Sequence, residues 1–266
     1  MKNSLKTLLI LILLPLMFQN SAAAETANSP IHWGIKRAAN EIPAEAGKPL
    51  DQLLERYDAF YKGDPRKKDI YLTFDNGYEN GYTGQILDVL KKENVPAAFF
   101  ITGHYLQTAP DLVERMSDEG HTIGNHSWHH PDLTKVSDKR FKEELERVRS
   151  ATAELTGKKQ MIYLRPPRGI FSERTLALAK QEGYTHVFWS LAYIDWQTDR
   201  QKDADYAYNN IMKQIHPGAV LLLHTVSKDN ADALQSVIRD LKKRGYTFKS
   251  LDDLRMEKVI QERMLY

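Results

Sequence analysis

Short apolar runs alternate with amphipathic stretches along most of the chain. The runs are rich in β-branched and aromatic residues, and seven of them are predicted to be strands: Ile70–Phe74, Ala97–Thr102, His121–Gly124, Ile162–Leu164, His186–Leu191, Ala219–Leu223 and Tyr246–Lys249. Between most of these runs, apolar residues recur at helical spacing. The predicted helices are Thr83–Glu93, Asp111–Glu119, Asp138–Thr156, Glu173–Glu182, Tyr206–Ile215 and Asn230–Arg244.

Strand–helix alternation of this kind is typical of a parallel sheet with helices outside it. Seven strand candidates favour an α/β fold in which the strands form a (β/α) barrel with fewer than eight strands. An open doubly wound sheet is the alternative.

The N-terminus has the pattern of an export signal. Lys2 and Lys6 precede the apolar run 8–18, and Ala22–Ala24 provides a small-residue cleavage site. We therefore predict a signal peptide over residues 1–24. An uncleaved anchor is the alternative, although the apolar run is shorter than the ~20 residues that a membrane span needs.

The rest of the chain divides into three predicted parts. Residues 25–67 form an extension that is expected to pack on the barrel, and apolar residues between 50 and 60 predict a helix in it that Gly63–Pro65 stops. The barrel domain is assigned to residues 68–254. Residues 255–266 are assigned to a C-terminal tail.

Composition narrows the classes of function. The chain has no cysteine, which excludes disulfides, thiolate metal sites and a cysteine nucleophile. Removal of Lys2 and Lys6 with the signal balances the 37 basic and 35 acidic side chains, and no basic block predicts nucleic-acid binding. We expect a monomer without a stable membrane anchor after signal cleavage. Its partner is expected to be a neutral or mixed-charge polymer, or a small molecule.

Reactive side chains gather where the predicted strands end. Five strand ends carry Asp75-Asn76-Gly77, the segment from Asn125 to His130, Arg165-Pro166-Pro167-Arg168-Gly169, Asp195-Trp196 and His224. In parallel barrels the C-terminal ends of the strands meet at one face and form the active site. The sequence therefore predicts one site built from these side chains.

The segment after the third strand suggests a metal site. His126 and His130 are four residues apart, so a helical turn would place both imidazoles on one face. Imidazole suits zinc and neighbouring divalent metals. For an isolated pair, solvated histidines at a helix cap are the commoner outcome, but the strand-end position and the nearby Asp75 favour a metal. His129 would point elsewhere, and His121 is expected to be structural.

Two further side chains complete the set of groups that a hydrolase requires. Asp75 could cap a helix or pair with an arginine, and His224 could be a buried core residue or a general acid. Together with a two-histidine metal site they suggest hydrolysis. The metal would polarise a carbonyl, Asp75 would activate water, and His224 would protonate the leaving group.

These motifs, in this order, resemble those of the polysaccharide deacetylases, the NodB-homology enzymes of carbohydrate esterase family four, over residues 68–253. The resemblance implies a distorted, TIM-like (β/α)7 barrel and metal-assisted removal of N-acetyl groups from a glycan. Six residues match functional positions of the family: Asp75 the catalytic base, His126 and His130 the metal ligands, Arg165 the arginine that supports the base, His224 the catalytic acid, and Leu222 the lining of the acetyl pocket.

Two positions depart from the family pattern. The usual third metal ligand is an aspartate, and here it is Asn76, whose neutral oxygen makes it a weak or absent ligand. The divalent ion (zinc, manganese, magnesium or similar) is therefore expected to bind weakly. The family often has an aspartate three residues before Asp-Trp, and here it is Ala192. Orientation of His224 then falls to Asp195 or to another carboxylate.

Within the family, the chain most closely resembles the bacterial δ-lactam-biosynthetic de-N-acetylases. The likeness covers residues 73–82 and the stretch before the barrel from Trp33-Gly34 to residues 58–61, and it extends through residues 165–169 and 224–227. It implies an exported enzyme of the cell wall or forespore cortex in a spore-forming bacterium. The substrate implied is N-acetylmuramic acid in the peptidoglycan of the spore cortex.

The lactyl carboxylate of that sugar suggests a role for a second arginine. A guanidinium matches a carboxylate bidentately, so Arg168 is expected to contact the lactyl group unless it forms an ordinary salt bridge or is simply solvated. Trp196 is expected to line the cleft. Alternative functions are a chitin or xylan deacetylase, and a metal-free glycan-binding pseudoenzyme that only Asn76 favours.

Overall fold

The computed structural model describes residues 26–37 and 40–264. The predicted signal peptide, residues 1–24, lies outside these residues. None of the helices in the described part of the chain combines the length and apolar character that a membrane span requires.

Strands and helices alternate from residue 69 onward. The strands are β1 Ile31–His32, β2 Asp69–Asn76, β3 Ala97–Ile101, β4 Thr122–Asn125, β5 Tyr163–Leu164, β6 Ile170–Phe171, β7 Thr185–His186, β8 Leu191–Ala192, β9 Ala219–His224 and β10 Thr247–Phe248. The α-helices are α1 Lys48–Arg56, α2 Thr83–Glu93, α3 Gly103–Thr108, α4 Pro110–Asp118, α5 Asp138–Thr156, α6 Glu173–Gln181, α7 Ala204–Gln214, α8 Lys228–Lys243 and α9 Leu251–Met264.

The main sheet is parallel and curls round on itself. Its order is β7-β5-β4-β3-β2-β9-β8, with β10 paired to the start of β2. The segment 185–192 belongs to both edges, because Val187 N donates to Leu164 O at 2.8 Å on β5 and Ser190 N donates to Val220 O at 2.9 Å on β9. The prediction of an α/β fold with a (β/α)7 barrel is therefore confirmed, and the open sheet is excluded.

Strand β2 runs through the centre of the barrel wall and is buried along its whole length. Its alternate side chains face opposite sides. Phe74 packs in the layer shared with the outer helices, whereas Tyr71 packs with Phe100 and Val220 of the neighbouring strands. Asp75 follows Tyr71 at even spacing and therefore faces the same side, at the end of the strand where the barrel opens.

Backbone hydrogen bonds join the extension to the barrel domain. Strand β1 pairs antiparallel with β6, and Phe60 exchanges backbone hydrogen bonds with His186 and Phe188 at 3.1 and 2.8 Å. The domain boundaries themselves stay a prediction. Helix α9 runs through the position, 254/255, at which the C-terminal tail was predicted to begin.

Two local predictions were wrong. The first helix ends at Arg56 rather than at Gly63, because the chain turns at Asp58, whose φ of 54° is left-handed. The predicted strand His186–Leu191 is divided into β7 and β8. Its hydrogen bonds change from one edge of the sheet to the other, so the middle of the segment has no continuous ladder. The sequence also gave no indication of α3, β1 or β6.

Candidate active site

The central pair of the site comes from adjacent strands. Asp75 on β2 and His224 on β9 are register partners at the C-terminal ends of their strands. Arg165, which follows β5, is fully buried and donates from Nη1 to Asp75 Oδ1 at 2.8 Å. Its Nε donates to Val187 O at 3.1 Å, and its guanidinium lies 4.1 Å from the Phe100 ring centroid. The barrel therefore holds this charge in a fixed position.

Charge neighbours keep Asp75 ionised. Burial acts to raise its pKa, but the positive charge of Arg165 and the nearby His126 and His224 act in the opposite direction, and the pKa is lowered overall. A buried carboxylate that stays deprotonated at neutral pH has the charge state required of a general base.

His224 has the complementary arrangement. Its Nδ1 lies 2.7 Å from Asp195 Oδ1. Asp195 Oδ2 accepts from His224 N at 2.8 Å and from Asn230 Nδ2 at 2.6 Å. Burial acts to lower the pKa of His224, but the Asp195 carboxylate and, less strongly, Asp75 outweigh it, and the pKa is raised. The protonated form of His224 is therefore favoured relative to that of a free histidine, and Asp195 is the carboxylate on its Nδ1.

The segment from His126 to His130 is a loop, so the expected helical turn between the two histidines was wrong. Ser127 and His130 have left-handed φ angles of 64° and 56°. This reversal still brings the two imidazoles together, with ring centroids 4.8 Å apart. The buried Glu144 of α5 holds the loop, because its carboxylate accepts from His129 N at 2.7 Å and lies 2.8 Å from His129 Nδ1.

The two imidazoles suit a metal. His126 Nδ1 lies 2.8 Å from the carbonyl oxygen of Arg165, an interaction that leaves Nε2 free, 3.5 Å from Asp75 Oδ2. Burial lowers the pKa of His126, and burial together with the neighbouring His126 lowers that of His130 to about 4. Both rings are thus neutral at pH 7 and available as ligands, and a hydrogen bond from the second ring nitrogen is typical of ligating histidines.

The described residues offer no strong third ligand for a metal. Within residues 26–37 and 40–264, no group of three histidine, aspartate or glutamate side chains is arranged to hold a metal. Asn76 is fully buried, and its Nδ2 donates to Thr225 Oγ1 at 2.8 Å. Its Oδ1 has no hydrogen-bond partner in the described part of the chain. The donors that fit a divalent ion at the cavity are therefore the two imidazoles, and Asn76 is not among the residues that line it.

These groups open into a cavity of about 850 Å³, which Asp75, His126, His130 and His224 all line. The lining also includes three residues that the sequence assigned to substrate binding: Arg168, Trp196 and Leu222. The Trp196 ring centroid lies 5.6 Å from that of His224. Leu222 is buried two residues before His224 on β9. The exposed Arg168 forms no ion pair with any described residue.

Comparison with known proteins agrees with this geometry. Residues 62–187 match the family model "Polysaccharide deacetylase". The chain is 56% identical over 244 residues to peptidoglycan-N-acetylmuramic acid deacetylase PdaA of Bacillus subtilis, covering 91% of this chain and 93% of that protein. The chain belongs to the polysaccharide deacetylase family.

Two further comparisons extend this result. The structure of Bacillus subtilis PdaA, described as a family 4 carbohydrate esterase, superposes with a TM-score of 0.86 at 57% identity over 87% of this chain and 99% of that one. A peptidoglycan-N-acetylglucosamine deacetylase of Bacillus cereus is 33% identical over 76% of this chain and 73% of its own length. The protein is thus a hydrolase of the polysaccharide deacetylase family.

Sequence reasoning missed two polar residues of this polysaccharide deacetylase site. Asn230, in the first turn of α8, fixes the carboxylate of Asp195. Glu144, in the middle of α5, fixes the loop that carries His130. Both residues lie in amphipathic helices, where a polar residue normally faces solvent. Both side chains are buried, at 1% exposure each, and this burial of a polar residue is what indicates a role in the site. It can be seen only in the tertiary structure.

Proposed function

We propose that this enzyme removes the acetyl group of N-acetylmuramic acid in peptidoglycan glycan strands. One observation carries the chemistry. Asp75 and His224 are register partners, and Arg165 and Asp195 bias them toward opposite protonation states. Two titratable groups whose pKa values are moved apart in this way are the mark of an acid–base pair.

The reaction follows from this pair. Asp75 takes a proton from water while the water oxygen attacks the acetamide carbonyl carbon. His224 then donates its Nε2 proton to the amide nitrogen as the carbon–nitrogen bond breaks. Acetate leaves and the sugar keeps a free amine. Arg165 keeps Asp75 in place, Asp195 orients His224, and Leu222 lines the pocket for the acetyl methyl group.

A divalent metal held by His126 and His130 would supply Lewis-acid polarisation of the acetamide carbonyl. Asn76 contributes at most a weak third ligand, because its oxygen carries no charge. The ion is therefore expected to exchange readily.

The preference for muramic acid is assigned to Arg168. Its guanidinium is exposed at the cavity and unpaired among the described residues, whereas Arg165 is fully committed to Asp75 and to backbone carbonyls. The lactyl carboxylate distinguishes N-acetylmuramic acid from N-acetylglucosamine and matches this free guanidinium. The 56% identical relative PdaA is named a peptidoglycan-N-acetylmuramic acid deacetylase, which supports the same substrate. Trp196, 48% exposed at the mouth, offers a face for the sugar ring.

The free amine and the lactyl carboxylate lie on one sugar, so deacetylation prepares an intramolecular amide, the muramic δ-lactam of spore cortex. Export through the predicted signal over residues 1–24 would deliver the enzyme to the cell wall or the forespore cortex compartment. Both steps are part of the proposal.

Acetate release tests the function directly. The substrates are glycan strands stripped of peptide stems and, for comparison, N-acetylglucosamine oligomers, each with and without chelator. We expect release from the muramic-acid glycan, abolished by Asp75→Asn and by His224→Gln. Arg168→Ala should weaken activity on the muramic-acid glycan selectively. Equal losses on both substrates would contradict the role of Arg168, and no release with any divalent metal would leave only a glycan-binding protein.

A further inference from the structure

The turn that carries Arg168 is held on its C-terminal side by the N-terminal extension. Strand β6 follows this turn, and among the described strands its only partner is β1. The pairing places Ile31 opposite Phe171 and His32 opposite Ile170. Directly beyond it, Trp33 N donates to Gly169 O at 2.9 Å. The extension therefore supplies the backbone ladder for the residue next to Arg168.

The indole of Trp33 connects the same turn to the segment that closes the barrel. Its Nε1 donates to Trp189 O at 3.0 Å, and its ring stacks on Phe188 with centroids 4.6 Å apart. Gly169 lies between the two tryptophans, with a φ of 66°. A Cβ on Gly169 would come within 2.8 Å of the Trp189 ring and 3.0 Å of Trp33 Cβ. The turn therefore fits closely into a slot that Trp33 helps to form.

Arg168 depends on such support because its own conformation is unfavourable and its side chain is exposed. Its backbone has a left-handed φ of 58°, an unfavourable conformation for a residue with a Cβ. Its side chain is exposed, and no described residue forms an ion pair with it. An arginine that must meet a substrate carboxylate loses side-chain entropy on binding. A fixed backbone limits this loss to the side chain.

We propose that Trp33 is a positioning residue for substrate recognition. It locks the Arg168 turn against the Trp189 segment, so that the guanidinium is presented to the carboxylate of the bound sugar. This inference rests on the proposed function, because it assumes that Arg168 meets that carboxylate. It gives the extension before the barrel a role in selectivity.

The test compares Trp33→Ala, Arg168→Ala and the double variant on the muramic-acid glycan and on N-acetylglucosamine oligomers. Binding by titration calorimetry and acetate release give the affinity and kcat separately. We expect Trp33→Ala to weaken affinity for the muramic-acid glycan by ~10-fold with kcat changed by less than ~2-fold, since a contact made equally in the ground state and the transition state affects binding and not kcat. Binding of N-acetylglucosamine oligomers should be unchanged. The double variant should bind no more weakly than Arg168→Ala alone, because coupled residues are not additive.

Two controls separate positioning from general loosening. Trp33→Phe keeps an aromatic ring but loses the bond to Trp189 O, so it should show a smaller loss of affinity that is still confined to the muramic-acid glycan. That selective loss is the readout if Trp33→Ala does not fold. Leu53→Ala loosens the apolar cluster that Leu53 shares with Trp33, but the atoms nearest a Cβ on Gly169 belong to Trp33 and Trp189 and not to Leu53. This variant should leave selectivity unchanged. Equal losses on both glycans, additivity with Arg168→Ala, or the same change in Leu53→Ala would overturn the inference. A wild-type enzyme inactive on both glycans would instead refute the proposed function.

Discussion

The bond between Asp195 and His224 offers a sharp test of the acid–base assignment. Asp195 accepts with Oδ1 from the ring Nδ1 at 2.7 Å, and with Oδ2 from two donors, His224 N and Asn230 Nδ2. Asp195→Asn keeps the shape and removes one acceptor. If the remaining amide oxygen faces His224 Nδ1, the new NH₂ group faces two N–H donors, His224 N and Asn230 Nδ2. If the oxygen instead accepts from those two donors, the NH₂ group points at Nδ1 and favours the tautomer that has no proton on Nδ1.

The size of the effect follows from this geometry. A hydrogen bond to a charged group contributes about 1.5–3 kcal/mol, and each 1.4 kcal/mol corresponds to a tenfold change in rate. We therefore expect Asp195→Asn to lower kcat by ~10- to ~100-fold. Loss of His224 itself should cost more, since a general acid contributes ~10²- to ~10⁴-fold.

The pH profile gives a second readout with a definite sign. The Asp195 carboxylate raises the pKa of His224 against the effect of burial, and the acid works only while protonated. Activity should therefore be present below this raised pKa and fall as pH rises through it. In Asp195→Asn the pKa is lower, so the alkaline fall should move to lower pH.

Asp199→Asn is the matched control, since it removes the same charge from an exposed carboxylate four residues away. The assay is acetate release from muramic-acid glycan between pH 5 and 10. An alkaline limb that stays in place in Asp195→Asn, or moves equally in the control, would refute the role of His224 as the acid.

Three other expectations concern the general base Asp75, the metal site and the turn that carries Arg168. Arg165→Met leaves the buried Asp75 carboxylate without its partner and should lower the free energy of unfolding by ~3–5 kcal/mol, measured by urea titration. The double variant Arg165→Met, Asp75→Asn should recover most of this loss. No recovery would mean that the loss came from packing and not from charge. Chelator should reduce activity reversibly, and Asn76→Asp should tighten metal binding in a calorimetric titration because it adds a negative charge; unchanged affinity would exclude this position as a ligand. Gly169→Ala should lower the free energy of unfolding both because the φ of Gly169 is left-handed and because the new Cβ meets Trp189. The control Gly183→Ala has only the left-handed φ and should lower it by ~1 kcal/mol, at least ~1 kcal/mol less than Gly169→Ala. Equal losses would argue against a tight slot around Gly169.

Much of the fold could be predicted because its signals are local. Helix Thr83–Glu93 and helix Asp138–Thr156 have the predicted ends, since apolar spacing and the Ser137 cap of the second are written within a few residues. The strand β2 also appears where predicted, and extends far enough to include Asp75. The reactive side chains could be grouped because parallel strands open at one face of a barrel.

The prediction for the segment 185–192 was wrong because its structure depends on contacts that are not local. Its β-rich composition predicts one strand, but its first half bonds to β5 and its second half to β9. Local propensity reports that a residue prefers an extended backbone. It contains no information about which neighbour receives the hydrogen bond.

The sequence by itself therefore determined the class of fold, the family and which strand ends carry the chemistry, because these depend on periodicity and on the order of motifs. Only the tertiary structure decided how these groups work together. It put Asp195 on His224, brought His126 and His130 together through a loop rather than a helix, and placed Trp33 beside Gly169, 136 residues later in the chain. Contacts between residues so far apart depend on how the whole barrel closes, and no local pattern specifies them.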